Sequence, residues 1–177
     1  RSVTPRITSI RPLAANDLGA VVAIDAANEG RPRREYIERR LRAAQREPGL
    51  HAQFAAADDG DVVVGFMLAR VLAGEFGQRR RALRLELMGV RADRRGSGVG
   101  RRLFDALVAW ARRHGCTEAR TTASWRDTAI LAWFDRLGFE LAADVIVHSA
   151  VDGGAYRPER DAAFATSDNA VREIRAA

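Results

Sequence analysis

The sequence predicts a mixed α/β fold of the α+β kind, in which helices flank one central sheet. Short apolar or alternating stretches, typical of strands, are interleaved with stretches in which apolar residues recur every three or four positions, the spacing of amphipathic helices. Glycine, proline and aspartate separate these stretches. With 177 residues, of which 47% are hydrophobic, the chain has the size of one ordinary globular domain.

The first half of the chain contains three predicted strands and two predicted helices. Asn16 and Asp17 offer an N-cap for the first helix, because their side-chain oxygens can accept hydrogen bonds from free amides of the first turn. Pro32 opens the second helix, which ends near Pro48, and the sequence Asp-Asp-Gly at 58–60 indicates a hairpin. The predicted strands here cover residues 7–13, 53–57 and 62–71.

The second half of the chain continues this alternation. Residues 82–90 form an apolar strand, and the next helix carries a stripe of Val99, Leu103, Ala106, Leu107, Trp110 and Ala111. A strand over 118–124, a helix over 127–137 and a last strand over 145–151 follow. We therefore expect a domain over residues 1–152. The remaining residues, 153–177, form a predicted extension with a short helix capped at Ser167-Asp168, docked on the domain or at a subunit interface.

A glycine-rich loop, Arg95-Gly-Ser-Gly-Val-Gly100, joins the strand at 82–90 to the following helix. Glycines at such a junction expose successive backbone N–H groups at a helix N-terminus, which favours a phosphate group. The P-loop pattern fails because Arg101 and Arg102 follow the last glycine, and the dinucleotide pattern fails because arginine and leucine stand at 101 and 103. The pattern that fits is R-x-x-G-x-G.

This pattern resembles the signature loop of the GNAT superfamily of acyl-CoA-dependent N-acyltransferases. Residues 127–139, a predicted helix that closes on Gly138-Phe139, resemble the second signature of the family. The resemblance runs from about 83 to 147. It implies a mixed sheet of about seven strands, in the order strand, two helices, three strands, helix, strand, helix and two strands. It also implies acetyl transfer from acetyl-CoA to an amine of a small molecule or protein by direct attack in a ternary complex.

The resemblance further implies which residues contact the coenzyme. Met88, Gly89 and Val90 would run along the pantetheine arm, with a backbone N–H near Val90 facing the acyl carbonyl. The pyrophosphate would lie on the amides of the loop. The implied coenzyme-binding residues are Met88, Gly89, Val90, Arg95, Gly96, Ser97, Gly98, Val99, Gly100, Arg101, Asp127 and Phe134.

Two positions depart from the family pattern. Asp127 stands where the second signature usually has asparagine, and it either weakens coenzyme binding or simply caps the helix. Phe134 stands where many members have the tyrosine that protonates the departing sulfur. A phenyl ring donates no proton, so we expect a slow or water-assisted enzyme. Ser124 is a candidate replacement acid, with an ordinary strand-end residue as the alternative.

Glu86 is the candidate general base, because several family members place an acidic or histidine base on this strand. The alternative is a side chain that faces solvent or pairs with Arg84 or another arginine. Members that acetylate protein N-termini can carry a glutamate on the following strand, where this chain has Thr122. Tyr36 and the segment 75–81 are candidates for the acceptor wall, and the arginines of that segment would favour a carboxylated acceptor.

Composition limits the other classes of function. All 29 basic residues are arginine and the net charge is +6, which suits an anionic coenzyme and would also suit nucleic acid. Few aromatic residues lie among the arginines, so no stacking platform for nucleic acid is predicted. His51, His114 and His148 lack ligand spacing, so no metal site is expected. The lone Cys116, with no signal peptide or membrane span predicted, suits a cytoplasmic protein.

Three hypotheses follow from these patterns. The first is an acetyl-CoA-dependent acyltransferase, with a homodimer expected from its relatives. The second is an acyl-CoA sensor that keeps the coenzyme loop without turnover, motivated by Phe134 and Asp127. The third is a basic nucleic-acid adaptor.

Overall fold

The structure is a computed structural model, and it describes residues 7–74 and 80–142. In chain order the elements are β1 (Ile7–Pro12), α1 (Leu18–Glu29), α2 (Arg34–Arg46), β2 (His51–Asp58), β3 (Val63–Leu72), β4 (Ala82–Val90), α3 (Val99–Arg113), β5 (Glu118–Arg120) and α4 (Thr128–Arg136). Short 3₁₀ turns precede α1 at Ala15–Asp17 and the glycine loop at Ala92–Arg94. The predicted strand at 145–151 and the predicted extension at 153–177 lie outside the described residues.

The order of these nine elements matches the prediction, and two local details were wrong. Asp17 does not cap α1 through its side chain. Its carboxylate instead accepts hydrogen bonds from the Ala14 amide at 2.8 Å and from Arg11 at 2.7 Å, which draws it back toward β1. The strand predicted over 118–124 ends at Arg120, because the chain leaves its partner strand there.

The five described strands form one mixed sheet in the order β1-β2-β3-β4-β5. The first four strands pair antiparallel, which includes the predicted hairpin between β2 and β3, and β5 pairs parallel to β4. This is a mixed sheet of the predicted kind. The prediction of about seven strands requires further strands outside the described residues, so it stays a prediction.

Each face of the sheet buries a separate apolar cluster. Side chains such as Met67, Leu83 and Leu85 face α3 and α4, where Leu103 and Leu107 are fully buried. Phe66 and Leu68 face the opposite way, against Ile37 of α2 and its neighbours on α1. We call these the α3 face and the α1/α2 face. Alternate residues of each strand supply the two faces, as the strand period of two requires.

The strand β4 carries an irregularity at the candidate base. Leu87 is opposite Leu68 and Leu85 is opposite Ala69, so Glu86 is an extra residue with no partner of its own on β3. Such a bulge turns the strand locally and changes the direction of a side chain. All the described elements belong to one compact unit, Arg1–Phe139.

Candidate functional site

The glycine loop forms an open turn into α3. Gly96 and Gly98 adopt left-handed conformations, with φ of 75° and 83°, which only glycine takes at little cost. The helix begins at Val99, directly after this turn. Within the described part of the chain, no hydrogen-bond acceptor is found for the amides of Gly96, Gly98, Val99, Gly100 and Arg101. These N–H groups therefore form a cluster of hydrogen-bond donors at the positive end of a 15-residue helix.

An ion pair fixes the start of the glycine loop against the end of β2. The guanidinium of Arg94, which is 4% exposed, lies 3.3 Å from the carboxylate of Asp58 at the end of β2. Ser97 donates its hydroxyl to the Arg94 carbonyl at 2.6 Å. Arg95 reaches Asn28 at the end of α1. The Ser97 hydroxyl and the Arg95 side chain are thus engaged within the protein, and the free groups of the loop are backbone amides.

The first turn of α3 is fixed by close packing. Val99 is buried in the cluster on the α3 face. A Cβ on Gly100 would lie 3.0 Å from Cζ2 of Trp133, so α4 packs directly onto the start of α3. Gly100 is therefore needed for the approach of the Trp133 indole, which places the second signature helix against the first signature loop.

Next to the loop, the sheet opens between β4 and β5. The two strands pair at only three positions, from Ala82 with Glu118 to Arg84 with Arg120. Beyond that point the only described link is the Thr121 hydroxyl, which donates to the Leu85 carbonyl at 3.2 Å. The outer edge of β4 from Glu86 to Val90 is therefore left without a partner strand among the described residues.

This open edge contains the residues predicted to follow the pantetheine arm. The Arg91 amide donates to Val64 on β3 at 2.9 Å. Because successive residues of a strand direct their amides to opposite edges, the Val90 N–H is directed toward the open edge. Gly89 is buried, and a Cβ there would meet the Phe66 ring at 2.6 Å, so a larger residue would displace β4 at this point. Met88 packs partly buried on the α3 face.

The structure shows what Asp127 and Phe134, the two departures from the family pattern, contact. The Asp127 carboxylate accepts a hydrogen bond from the Ile130 amide at 3.1 Å, so it caps α4, as the capping interpretation predicts. Phe134 is 8% exposed, with its ring 5.0 Å from the ring of Phe139 and 5.1 Å from that of Trp133. This ring lies in an aromatic cluster on the α3 face and has no group that could donate to a sulfur.

Glu86 is held by arginines, though not by Arg84. Arg40 of α2 donates to one carboxylate oxygen. Arg70 Nε lies 2.9 Å from the other oxygen, as an ion-pair contact that lacks hydrogen-bond alignment. The Glu86 side chain is only 12% exposed. The candidate base is therefore a nearly buried carboxylate, oriented by two guanidinium groups on the α1/α2 face.

His51 belongs to the same cluster, although nothing in its sequence context predicts this position. It stands opposite Arg70 in the register of β2 and β3, and its Nδ1 is buried with no hydrogen-bond partner among the described residues. Burial lowers the pKa of His51, and the nearby charge of Arg40 lowers it further, while Glu86 acts in the opposite direction. His51 is thus favoured as a neutral imidazole beside the candidate base.

The remaining candidates lie apart from this cluster or outside the described residues. Ser124 is exposed, and its hydroxyl oxygen accepts a hydrogen bond from the Arg126 amide at 3.3 Å. Thr122 is also exposed. Tyr36 is half-buried and packs with the α1/α2 cluster beneath Arg33, 5.9 Å away. Residues 75–79 of the segment proposed for the acceptor wall are not described.

The cysteine and histidines provide no alternative chemistry in the part of the chain that is described. Cys116 is buried, and desolvation raises the pKa of its thiol, which disfavours the nucleophilic thiolate. His114 stacks on Trp110 with ring centroids 3.6 Å apart. No group of three or more histidine, cysteine or acidic side chains among the described residues could hold a metal ion. Across the same residues, no helix combines the length and apolar character needed to cross a bilayer.

Comparison with known families agrees with this geometry. The model of the acetyltransferase (GNAT) family matches residues 20–139, which include both signature segments and most of the sheet. The chain belongs to the GNAT acetyltransferase family. Members of this family use acetyl-CoA. The matched range places the glycine loop, the open edge of β4 and Glu86 inside the GNAT domain.

Solved structures share the fold of this GNAT domain. The aminoglycoside antibiotic 6'-N-acetyltransferase AAC(6')-IG from Acinetobacter haemolyticus is 20% identical, with a TM-score of 0.68 and 81% of this chain and 98% of that one covered. AAC(6')-Iy, bound to the bisubstrate analogue CoA-S-monomethyl-acetylneamine, is 24% identical with a TM-score of 0.65, over 80% and 97% of the two chains. Glucosamine-6-phosphate N-acetyltransferase from Arabidopsis thaliana is 14% identical with a TM-score of 0.62, over 81% and 98%.

At these identities the likeness concerns the fold alone. A search of curated proteins gave no significant match.

Proposed function

We propose that this GNAT domain transfers an acetyl group from acetyl-CoA to a primary amine, by direct attack within a ternary complex. The observation that carries the proposal is the pairing of two features at one end of the sheet. One is the set of free amides of Gly96 and of residues 98–101, and the other is the open edge of β4 that ends beside them. A coenzyme with a diphosphate and an amide-containing arm matches both.

The free amides suit the diphosphate of the coenzyme. Backbone N–H groups at a helix N-terminus hold phosphate oxygens without a flexible side chain, and the helix dipole favours negative charge there. The pantetheine arm would add to the open edge of β4 as a further strand does, through main-chain hydrogen bonds. The Val90 N–H would then polarise the thioester carbonyl, a contribution of the oxyanion-hole type.

The amine needs a group that removes its proton. A lysine-type amine of pKa about 10.4 is only a few parts in ten thousand neutral at pH 7, whereas an α-amino group of pKa about 7.7–8.0 is roughly a tenth neutral. Glu86 lies on β4 at the open edge, and its carboxylate has about four lone-pair sites, more than its two arginine contacts use. Glu86 would accept the proton directly or through one water molecule.

The departing thiolate finds no acid at position 134, where this chain has phenylalanine. A positioned general acid contributes about 10²- to 10⁴-fold, whereas holding two reactants in register reaches effective molarities of about 10⁵–10⁸ M. A thiol of pKa about 8.5 is also a tolerable leaving group near neutral pH. Positioning is the larger effect, so the domain should turn over slowly with water as the proton donor.

Acetyl-CoA binding and thiol release test this proposal in turn. Saturating acetyl-CoA, at about 100 times its Kd, should stabilise the native state by about 2.7 kcal/mol and raise the Tm. S-acetyl-pantetheine, which lacks the diphosphate, is the matched control and should raise it much less. Release of free thiol across a panel of amines would then indicate an enzyme. Acetyl-CoA binding without thiol release would indicate an acyl-CoA sensor, the alternative that the buried Phe134 ring favours. Absence of acetyl-CoA binding at millimolar concentration would refute both.

A further inference from the structure

Four basic residues form one row across the sheet at the base of the β4–β5 opening. His51 is opposite Arg70, Arg70 is opposite Arg84, and Arg84 is opposite Arg120, one residue on each of β2 to β5. Directly opposed residues share a face, and the like charges of the three arginines in such pairs destabilise a sheet. We call these four residues the basic row. A sheet that tolerates this repulsion needs a counter-charge, supplied by the protein or by a ligand.

The described protein supplies only part of that counter-charge. The carboxylate of Glu86 is shared between Arg70 of the row and Arg40 above it, and Glu118 pairs with Arg120 at 2.7 Å. Glu47 is a third acidic residue near the row, at its His51 end, so four guanidinium groups face three carboxylates among the described residues. Arg84 has no acidic partner among them, and the Arg70 side chain is 41% exposed. The α1/α2 face therefore carries excess positive charge at this level of the sheet.

Polar side-chain atoms in the same cluster also lack well-aligned hydrogen-bond partners among the described residues. Among the described residues, Arg40 Nε and His51 Nδ1 are buried without a hydrogen-bond partner, and Arg70 Nε has only its poorly aligned contact with Glu86 at 2.9 Å. Leaving a buried polar group unsatisfied destabilises a protein, and such groups are uncommon in native structures. The excess positive charge and the incompletely bonded guanidinium groups favour an oxygen-rich anion as a ligand at this level of the sheet.

The basic row lies where the second substrate must approach. Arg84 and Arg120 are the last residues at which β4 and β5 pair. The basic row therefore lies directly next to the point where the two strands separate. Glu86 is two residues from Arg84 on the same strand and contacts Arg70 of the row. An amine that reaches Glu86 therefore holds its other substituents close to Arg70 and Arg84.

We propose that the acceptor is an amine that also carries an anionic group, a carboxylate or a phosphate, and that Arg70 and Arg84 bind this group. The inference rests on the proposed acetyl transfer, whose acceptor class it names. The guanidinium fork matches carboxylate and phosphate oxygens in a bidentate manner. The same excess charge repels acceptors with several ammonium groups, such as aminoglycosides, so selectivity includes a repulsive element.

Matched pairs of acceptors test the class. Thiol release would be compared for phenylalanine against phenylalaninamide, and for phosphoethanolamine against ethanolamine, with an aminoglycoside as the polycationic member. Hydrogen bonds to charged groups support a preference of about 10- to 100-fold in kcat/KM for the anionic member of at least one pair. A preference in the phenylalanine pair would indicate that the subsite binds a carboxylate, and a preference in the ethanolamine pair would indicate a phosphate. Equal use of both members in both pairs, or preference for the aminoglycoside, would overturn the inference.

Variants locate the effect in the basic row. Arg84→Gln and Arg70→Gln should reduce the preference for the anionic acceptor at least tenfold, mainly through its KM, and Arg84→Lys should restore part of it. Arg112→Gln, an exposed arginine in the last turn of α3, is the matched control and should leave the preference unchanged. Thermal melts of each variant show whether the fold is retained. A preference that survives both glutamine variants in a folded protein would also overturn the inference.

Binding measurements separate this inference from the proposed function. If acetyl-CoA binds and neutral amines are acetylated as well as anionic ones, the domain is an acetyltransferase without the anion subsite. If acetyl-CoA does not bind, the proposed function fails. Titration with N-acetylphenylalanine and with phosphoethanolamine then tests the subsite directly. Binding that Arg84→Gln abolishes would support it, and absence of binding would refute it.

Discussion

Arg40 on α2 donates to the carboxylate of Glu86 on β4, so a helix on one face of the sheet orients the candidate base at its open edge. This contact joins two segments 46 residues apart. It leaves the base nearly buried and fixed, whereas an unpaired glutamate on a strand would be free to turn.

Replacing the Glu86 carboxylate should slow acetyl transfer. We expect Glu86→Gln to lower kcat/KM for an amine acceptor about 10²-fold or more at pH 7, the usual range for a positioned general base. The loss of kcat/KM in Glu86→Gln should become smaller as the pH approaches the pKa of the amine, because more of the amine is then already neutral and needs no base. Steady-state thiol release from pH 6.5 to 9 measures both effects.

The control for this change is Glu38→Gln, a glutamate that pairs with Arg42 one turn away on the surface of α2. Exposed pairs of this kind contribute about 0.3–0.5 kcal/mol, so activity should hardly change. A Glu86→Gln deficit that does not vary with pH would assign Glu86 a purely structural role.

A side chain in the glycine loop should weaken acetyl-CoA binding. Gly98 has φ of 83° with open space around it, so Gly98→Ala meets backbone strain and no clash. The left-handed conformation costs an L residue about 1–2 kcal/mol. If the loop relaxes to avoid this strain, its amides move, and we expect the Kd for acetyl-CoA to rise about tenfold. Isothermal titration calorimetry measures the change.

Gly19→Ala is the matched control for the loop variant. Gly19 lies within α1, has no positive φ and has nothing within 4 Å of an added Cβ. Alanine there should stabilise the helix by up to about 1 kcal/mol and leave the Kd unchanged. Equal affinities in the Gly98→Ala and Gly19→Ala proteins would argue against diphosphate binding by the loop.

Introducing a hydroxyl at position 134 should test whether the leaving group limits the rate. We expect Phe134→Tyr to raise kcat up to about 10²-fold, the lower end of general-acid catalysis. It should also reduce stability by about 1–3 kcal/mol if the hydroxyl stays buried without a partner. Phe139→Tyr alters the neighbouring ring of the same cluster and should affect stability without increasing the rate. Unaltered turnover of a good substrate by Phe134→Tyr would show that protonation of sulfur is not limiting.

The stability of the domain should fall in mild acid because of His51. Its pKa in the folded state is lowered, chiefly by burial and further by Arg40 and Arg70, while Glu86 and Glu47 oppose the shift. Below the ordinary value of 6.5, the unfolded chain binds a proton that the folded protein resists, so the free energy of unfolding declines as the pH falls through that range.

His51→Gln should remove this component of the pH dependence. Thermal melts at pH 7.5 and pH 5.5 should show a smaller decrease in Tm for His51→Gln than for the original protein. Equal decreases in the two proteins would show that His51 does not govern the acid response.

Much of the fold could be predicted because it depends on local patterns. The strand at 82–90 and the stripe from Val99 to Ala111 follow from apolar periodicity, and β4 has the predicted bounds. The glycine loop was evident because its backbone conformation requires glycine at fixed positions. The early end of β5 was not evident, since strand length depends on whether a partner strand continues alongside.

The sequence by itself determined the order of the elements, the loop with its free amides and the family. Only the tertiary structure decided the partners of Glu86 and the alignment of His51, Arg70, Arg84 and Arg120 across four strands. These residues are far apart in the chain, and the bulge at Glu86 shifts the register by one position. Because a one-residue shift exchanges the two faces of a strand, pairing across a sheet cannot be derived from the periodicity of any single strand.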